Sequence, residues 1–146
     1  MSAQGPPLTC HVLDTSVGKP AVNIQCTLSR FLKSADGSPS SSCFEVAKAS
    51  TNEDGRVAAW EMRQKGVAGK LVLEEGFTYK IRFETWEHFK GETFFPYVEV
   101  VFTVKEINQH YHIPLLLIRI GGRELGFGGG DIGIRYRKQC TNRRVG

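Results

Sequence analysis

The sequence lacks a long apolar run, and its few cysteines lack a metal-binding spacing. No stretch approaches the roughly 18 consecutive apolar residues of a membrane-spanning helix, so we expect no membrane partner. The cysteines are four in number: Cys10, Cys26, Cys43 and Cys140. None forms a Cys-x-x-Cys pair or a Cys/His zinc pattern, so we expect no metal site.

Targeting signals are also lacking. Residues 1–7 do not contain a charged segment followed by an apolar one, so we expect the protein not to be secreted. Outside oxidising compartments disulfides are rare, which predicts reduced thiols and a core position for Cys26. The final Arg-Val-Gly is not a peroxisomal address of the Ser-Lys-Leu type.

Positive charge is concentrated at one end of the chain. Overall, 19 Lys and Arg stand against 15 Asp and Glu, with a net charge of +4 and a pI near 9.0. Residues 1–117 carry 12 basic and 13 acidic side chains, whereas residues 118–146 carry 7 and 2 together with half of the 16 glycines. We therefore predict a flexible N-terminus (1–7), a domain (8–117) and a disordered Gly/Arg-rich tail (118–146).

The basic tail favours a nucleic-acid partner only weakly. Clustered arginines do neutralise phosphates. However, only Phe127 and Tyr136 in the tail offer aromatic rings for stacking on bases, and no recognisable nucleic-acid-binding fold precedes it. We expect no nucleic-acid partner.

Apolar residues recur with the period of two that is typical of half-buried strands. The predicted strands are Leu8–Asp14, Val22–Ser29, Phe77–Phe83, Tyr97–Lys105 and His110–Leu117. Turn residues separate them, so the pattern predicts an all-β antiparallel sandwich or barrel. One short helix is predicted, roughly Thr85–Lys90.

Histidines are the candidate chemical groups. His11 and His112 each lie in an otherwise apolar strand, and His110 shares a face with His112 because the two are two positions apart. Such histidines are commonly structural, but facing imidazoles in a cavity could act as a general base near pH 7. His88 lies in a charged stretch, and we expect it to be solvated.

Two charged residues near turns leave alternatives open. Arg56 follows the turn Asn-Glu-Asp-Gly and is either a surface charge or the start of a strand that aims its guanidinium into a site. Asp14 either begins a turn or pairs with a histidine, and we favour the turn.

Four motifs, in this order and spacing, resemble the 5-hydroxyisourate hydrolases, the transthyretin-related enzymes of purine catabolism. They are His-Val-Leu-Asp-Thr from His11, Thr-Asn-Glu-Asp-Gly-Arg ending at Arg56, Phe-Pro-Tyr-Val-Glu-Val from Phe95, and His-Tyr-His-Ile-Pro-Leu-Leu-Leu from His110. The resemblance extends from about Leu8 to Leu117, some four-fifths of the chain.

The resemblance implies a transthyretin-like (prealbumin-like) sandwich that hydrolyses 5-hydroxyisourate to 2-oxo-4-hydroxy-4-carboxy-5-ureidoimidazoline in urate degradation. It assigns catalysis and substrate binding to His11, Arg56 and His112. His112, with His11, would orient and deprotonate a water, and Arg56 would hold the polar edge of the substrate. It also implies no cofactor or metal, a homotetramer with the site at the mouth of a channel between subunits, and a peroxisomal or cytoplasmic location.

The family also contains transthyretin, a hormone carrier, which has lysine, glutamate and threonine where this chain has His11, Arg56 and His112. All three positions therefore favour the hydrolase. The hydrolases continue after the triple leucine with Ser-Pro and end in an active-site Tyr-Arg-Gly-Ser. Here Ile-Arg-Ile-Gly-Gly follows Leu117 and that terminal motif is absent. We therefore expect a missing or replaced last strand, a weakened tetramer and impaired activity; the alternative is a non-catalytic transthyretin-like binding or structural homologue.

Overall fold

The computed structural model describes residues 5–63, 70–93 and 95–120, together with the segments 131–136 and 139–142. Within these residues the strands are β1 Leu8–Asp14, β2 Lys19–Pro20, β3 Gln25–Lys33, β4 Pro39–Ser50, β5 Arg56–Val57, β6 Glu61–Met62, β7 Thr78–Glu84, β8 Tyr97–Thr103, β9 Gln109–Ile120, β10 Asp131–Tyr136 and β11 Gln139–Asn142.

The strands form two sheets. The first sheet has the order β10-β9-β1-β2, with β5 also paired to β1 and β11 also paired to β9. The second sheet has the order β6-β4-β3-β7-β8, and all its pairs are antiparallel. In the first sheet β1 and β9 run parallel, while the other pairs are antiparallel. The predicted all-β sandwich is confirmed, and its antiparallel character has this one exception.

The core lies between the two sheets, as the period of two requires. Alternate residues of each strand point inward, and Leu8, Cys10 and Val12 of β1 are completely buried. The inward residues of β9 are also buried, and they meet the apolar faces of β7 and β8. The residues that alternate with these buried ones along β1 and β9, such as Thr9 and His112, therefore lie on the outer face of the first sheet.

The cysteines of the core are free thiols. Cys10 and Cys26 are buried and Cys43 is exposed, so the predicted core position of Cys26 is confirmed. Burial raises the pKa of Cys26 to about 12, and it also raises the pKa of Cys10. Both thiols are therefore protonated and unreactive at neutral pH.

The predicted short helix over Thr85–Lys90 is wrong, since residues 86–91 form hydrogen-bonded turns instead. The Phe89 N–H does reach the Thr85 carbonyl (3.2 Å), but the next bonds span three and five residues rather than four. Lys90 and Gly91 both have positive φ (52° and 77°), a conformation that cannot continue a right-handed helix.

The last strand is replaced rather than missing. The backbones of β10 and β11 pair with β9 in one common antiparallel register, in which Tyr136 is opposite Leu115 and Gln139 is opposite His112. Between these two pairs β9 contains Pro114, which has no N–H to donate to a ladder. The edge of β9 is therefore covered by segments of the atypical tail.

Other predictions about the termini remain untested. Residues 1–4, 121–130, 137–138 and 143–146 lie outside the described residues, so the predicted flexible N-terminus and the predicted disorder of these parts of the tail stay predictions, whereas residues 118–120, 131–136 and 139–142 lie in strands. Within the predicted N-terminal segment, the carbonyl oxygen of Pro7 accepts a hydrogen bond from the Tyr111 N–H (2.9 Å). Among the described residues there is no helix long and apolar enough to cross a membrane.

Candidate active site

His11, Arg56 and His112 lie on three neighbouring strands of one outer face. His11 of β1 is directly opposite Arg56 of β5. On the other side of β1, His112 of β9 is the partner of Thr9, two residues before His11. Because adjacent strands are about 4.8 Å apart and a residue rises about 3.3 Å, the Cα atoms of His11 and His112 are roughly 8 Å apart. The sheet thus brings together all three residues predicted from the sequence.

The turn before Arg56 is held by one asparagine side chain. Asn52 Oδ1 accepts hydrogen bonds from the N–H groups of Asp54 and Arg56, both at 3.0 Å. The Gly55 carbonyl accepts from the Val12 N–H (2.8 Å), which ties the turn to β1. Gly55 has φ 72°, and a Cβ there would overlap the Val12 carbonyl oxygen. A glycine is therefore required for Arg56 to lie beside His11.

We expect Gly55→Ala to destabilise the protein more than Gly18→Ala. Both glycines have positive φ, which costs an alanine about 1–2 kcal/mol, but nothing lies within 4 Å of a Cβ at Gly18. At Gly55 the overlap adds about 1–3 kcal/mol. Free energies of unfolding from urea denaturation measure the difference; equal costs for the two variants would show that the turn is not held against β1.

The same turn also fixes His11. Its Nε2 lies 2.9 Å from the carbonyl oxygen of Asp54. Since a carbonyl only accepts hydrogen bonds, the Nε2 of His11 carries the proton, and the Nδ1 of the neutral ring keeps a lone pair. The orientation and the tautomer of His11 therefore depend on the backbone that precedes Arg56.

A threonine hydroxyl links the two histidines of β9. Thr9 Oγ1 lies 3.0 Å from His110 Nε2 and 2.8 Å from His112 Nδ1. The Nδ1 of His110 lies 2.9 Å from the carbonyl oxygen of Pro6. Among the described residues, the Nε2 of His112 has no hydrogen-bond partner and is open to a water or a ligand.

The environment keeps His112 neutral. Burial lowers the pKa of His112 below its ordinary value, and the positive charge of Arg56 and the nearby His110 and His11 lower it further. A neutral imidazole with a free ring nitrogen is a proton acceptor at pH 7. His112 is thus suited to act as a general base.

Arg56 is exposed, and within the described part of the chain its guanidinium forms no ion pair with a carboxylate. Its five N–H donors are therefore available to the polar edge of a planar ligand or to a developing oxyanion. Of the two alternatives left open by the sequence, the structure places Arg56 at the start of a strand beside His11. A base, a second imidazole and a cation on one face can support hydrolysis of a carbonyl compound.

The prediction that His88 is solvated is wrong. Its Nε2 lies 2.7 Å from Asp14 Oδ2, and both side chains are largely buried. Asp14 Oδ1 also accepts from the Ser16 N–H (3.0 Å), so Asp14 begins a turn and also pairs with a histidine. These hydrogen bonds lower the pKa of Asp14, although burial opposes them. Asp14 points into the core and is not part of the outer-face site.

A cleft beside this site does not include its three predicted residues. A cleft of about 540 Å³ is lined by Pro6, Trp60 and His110 rather than by His11, Arg56 or His112. Among the described residues there is no group of three or more His, Cys, Asp and Glu arranged to bind a metal ion. The three predicted residues therefore form an open site on the outer face of the sheet.

Sequence reasoning missed Thr9 and Asn52. The position of Thr9, two residues before His11, was a usable signal, since the period of two puts both on one face. Asn52 indicated only that a turn was present, because asparagine is common in turns of many kinds. Its bonds to the Asp54 and Arg56 N–H groups could not be read from the spacing.

Comparison with known proteins assigns the family. The family model described as the HIUase/Transthyretin family matches residues 8–121. The chain belongs to the HIUase/Transthyretin family. This match includes β1, the turn before Arg56 and all of β9, so the predicted resemblance is confirmed.

Relatives within the HIUase/Transthyretin family share about a third of their residues with this chain. A protein named probable 5-hydroxyisourate hydrolase from Schizosaccharomyces pombe is 38% identical, over 81% of this chain and 88% of its own. The 5-hydroxyisourate hydrolase of Mus musculus is also 38% identical, over 80% of this chain and 91% of its own. That of Halalkalibacterium halodurans is 32% identical, over 75% and 87% respectively.

Solved structures support the fold. A crystal structure of sea bream transthyretin in complex with thyroxine has a TM-score of 0.58 at 24% identity, covering 96% of this chain and 98% of that one. Transthyretin from Sparus aurata has a TM-score of 0.60 at 21% identity, covering 93% and 98%. The transthyretin-like sandwich of this HIUase/Transthyretin family member is thereby confirmed.

Proposed function

We propose that this protein hydrolyses 5-hydroxyisourate to 2-oxo-4-hydroxy-4-carboxy-5-ureidoimidazoline in urate degradation. The observation that carries the proposal is the position of His11, Arg56 and His112 on three neighbouring strands of one face. The names of relatives at 31–38% identity support it: the proteins of Mus musculus and Salmonella dublin are named 5-hydroxyisourate hydrolase, and that of Schizosaccharomyces pombe is named probable 5-hydroxyisourate hydrolase. The alternative is a non-catalytic transthyretin-like binding or structural homologue, for which the two transthyretin structures compared above, at 24% and 21% identity, support the shared fold alone.

Water activation is the first step. His112 is neutral because its pKa is lowered, and its Nε2 is free to take a proton from a water. His11 keeps a lone pair on Nδ1, since its Nε2–H donates to the Asp54 carbonyl, and this lone pair accepts a hydrogen bond from the other O–H of the water, which stays bonded to the oxygen. The water oxygen is then directed at a ring carbonyl carbon of the substrate.

Ring opening follows from the attack. The new C–O bond makes a tetrahedral carbon whose oxygen carries negative charge, and the guanidinium of Arg56 stabilises that charge. When the intermediate collapses, the bond between this carbon and the ring nitrogen breaks. The nitrogen leaves with the proton that His112 took from the water, which restores neutral His112. The sum is addition of one water, with a carboxyl group and an N–H formed; no cofactor enters the balance.

The decay of freshly made 5-hydroxyisourate, followed by ultraviolet absorbance after urate oxidase has oxidised urate, tests this function. We expect the initial rate to rise linearly with the concentration of this protein, above the spontaneous rate. A rate equal to that of buffer would contradict the proposal. A version with the family's Ser-Pro and Tyr-Arg-Gly-Ser ending is the matched comparison, and we propose that it is faster because that ending belongs to the active site.

We further propose a homotetramer weakened by the altered tail. Two observations support it: the site is open in a single chain, and its outer face also carries the half-buried apolar residues Leu13, Pro114 and Leu116. Sedimentation equilibrium of the full chain and of the version with the family's ending measures the assembly. A strictly monomeric full chain at all concentrations would contradict it.

We propose the peroxisome or the cytoplasm as the compartment, with no secretion. The free, buried thiols of Cys10 and Cys26 suit a reducing environment. Microscopy of cells that express the chain with an internal tag would test the location; recovery from the culture medium would contradict it.

A further inference from the structure

The hydrogen bonds around Thr9 form a continuous line from the backbone to the proposed base. The line runs from the Pro6 carbonyl to His110 Nδ1 (2.9 Å), from His110 Nε2 to Thr9 Oγ1 (3.0 Å), and from Thr9 Oγ1 to His112 Nδ1 (2.8 Å). Thr9 and His110 have no role in the proposed reaction, so the reaction itself does not account for these hydrogen bonds.

The direction of each bond follows from what its atoms can donate. The Pro6 carbonyl has no proton, so the proton must be on His110 Nδ1. A neutral His110 then has only a lone pair on Nε2, and the Thr9 hydroxyl must donate to it. A hydroxyl has one proton, so toward His112 the Thr9 oxygen can only accept.

We infer that the Pro6 carbonyl, His110 and Thr9 are a positioning chain that fixes His112 in the tautomer with its proton on Nδ1 and its lone pair on Nε2. This is the tautomer in which the open nitrogen of the ring is the basic one. The inference rests on the proposed hydrolase function, to which it adds two positioning residues. Neither Thr9 nor His110 touches the substrate; both act through His112.

The opposite proton arrangement would disable the base. If the Thr9 hydroxyl turned to donate to His112 Nδ1, the proton of neutral His112 would move to Nε2, where the water must bind. In its uncharged form His110 prevents this: the Pro6 carbonyl takes the proton on Nδ1, so Nε2 must accept the hydroxyl proton of Thr9. His110 and Thr9 thus decide which nitrogen of His112 is free. In other enzymes, a catalytic histidine in the wrong tautomer lowers kcat by orders of magnitude.

Nitrogen-15 NMR of the histidine rings in the full chain tests the inference without substrate. In the wild type and in Thr9→Ser, which keeps the hydroxyl, His112 should have a protonated Nδ1 and an unprotonated Nε2. In His110→Phe the hydroxyl of Thr9 is free to donate or to accept, so His112 should gain a population of the Nε2–H tautomer. Thr9→Val has the shape of threonine without the hydroxyl and should give a mixture. A wild-type signal for His112 in Thr9→Val and His110→Phe would overturn the inference.

Kinetics provide the second measurement. We expect Thr9→Val to lower kcat about 10- to 100-fold with little change in KM, and Thr9→Ser to restore most of the loss. Adding His110→Phe to Thr9→Val should cost nothing further, because the chain is already interrupted. Independent, multiplying losses would overturn the inference, as would a Thr9→Ser as slow as Thr9→Val.

The two proposals fail in different ways. If the wild type does not accelerate the decay of 5-hydroxyisourate, the function fails, while the NMR result still decides the tautomer. If the wild type is active and Thr9→Val matches it in kcat, the function stands and the positioning chain is wrong.

Discussion

Replacing His112 with asparagine should lower kcat/KM for 5-hydroxyisourate by about 10²–10⁴, the usual contribution of a general base. Asparagine places an N–H near the position of Nδ1 and so keeps a donor to Thr9 Oγ1, which lies 2.8 Å from His112 Nδ1. It has no atom at the position of Nε2. The substitution therefore removes the proposed base and leaves the hydrogen bond beneath it in place. Initial rates of ultraviolet decay measure the loss.

The matched control for this prediction is His88→Gln. His88 lies on the Asp14 side of the molecule, away from the outer face, and glutamine retains an N–H donor for Asp14 Oδ2. We expect this control to keep wild-type kcat/KM. If His112→Asn were as active as His88→Gln, His112 would not be the base.

Replacing Arg56 with glutamine should have two effects that are measured separately. Without the guanidinium, the oxyanion loses its cation, and kcat/KM should fall by about 10²–10³. Arg56 also contributes to the lowered pKa of His112. Its removal should therefore raise the pKa of His112 toward the ordinary histidine value of about 6.5.

The sign of the pH effect follows from the base role. Protonated His112 cannot accept a proton, so wild-type kcat/KM should fall as the pH falls through the pKa of His112, with a midpoint below about 6.5. In Arg56→Gln this fall should begin at a higher pH, and NMR titration of the His112 ring should show the same displacement.

Two further variants separate charge from geometry. Arg56→Lys keeps the positive charge but loses the planar fork, so the pKa of His112 should stay lowered while kcat/KM still falls. Arg82→Gln removes a partly exposed arginine from β7 of the other sheet and should change neither quantity. An unchanged pKa of His112 in Arg56→Gln would mean that the two groups do not interact.

Local patterns in the sequence predicted most of the fold, because burial on one side of a strand imposes a period of two. The same period puts Thr9, His11 and His112 on one face once β1 and β9 pair. The resemblance to the hydrolases selected His11, Arg56 and His112 from among the charged and polar residues. The structure then brought these three onto neighbouring strands.

Features that depend on distant partners could not be predicted. His88 looked like a solvated residue because its neighbours in the sequence are charged, yet its partner Asp14 is 74 residues away. The short helix failed because Lys90 and Gly91 adopt positive φ, which composition alone did not signal. The loss of the family's ending predicted a missing or replaced edge, but not that Asp131–Tyr136 and Gln139–Asn142 would pair with β9 in one register.

The most direct test of the central claim compares the wild type with the triple variant His11→Ala/Arg56→Ala/His112→Ala in the decay of freshly formed 5-hydroxyisourate. All three positions lie on the outer face rather than in the core, so the sandwich should fold without these side chains, which circular dichroism verifies. We predict that the wild type accelerates the decay in proportion to its concentration and that the folded triple variant gives the spontaneous rate. Equal rates for the two proteins would contradict the account.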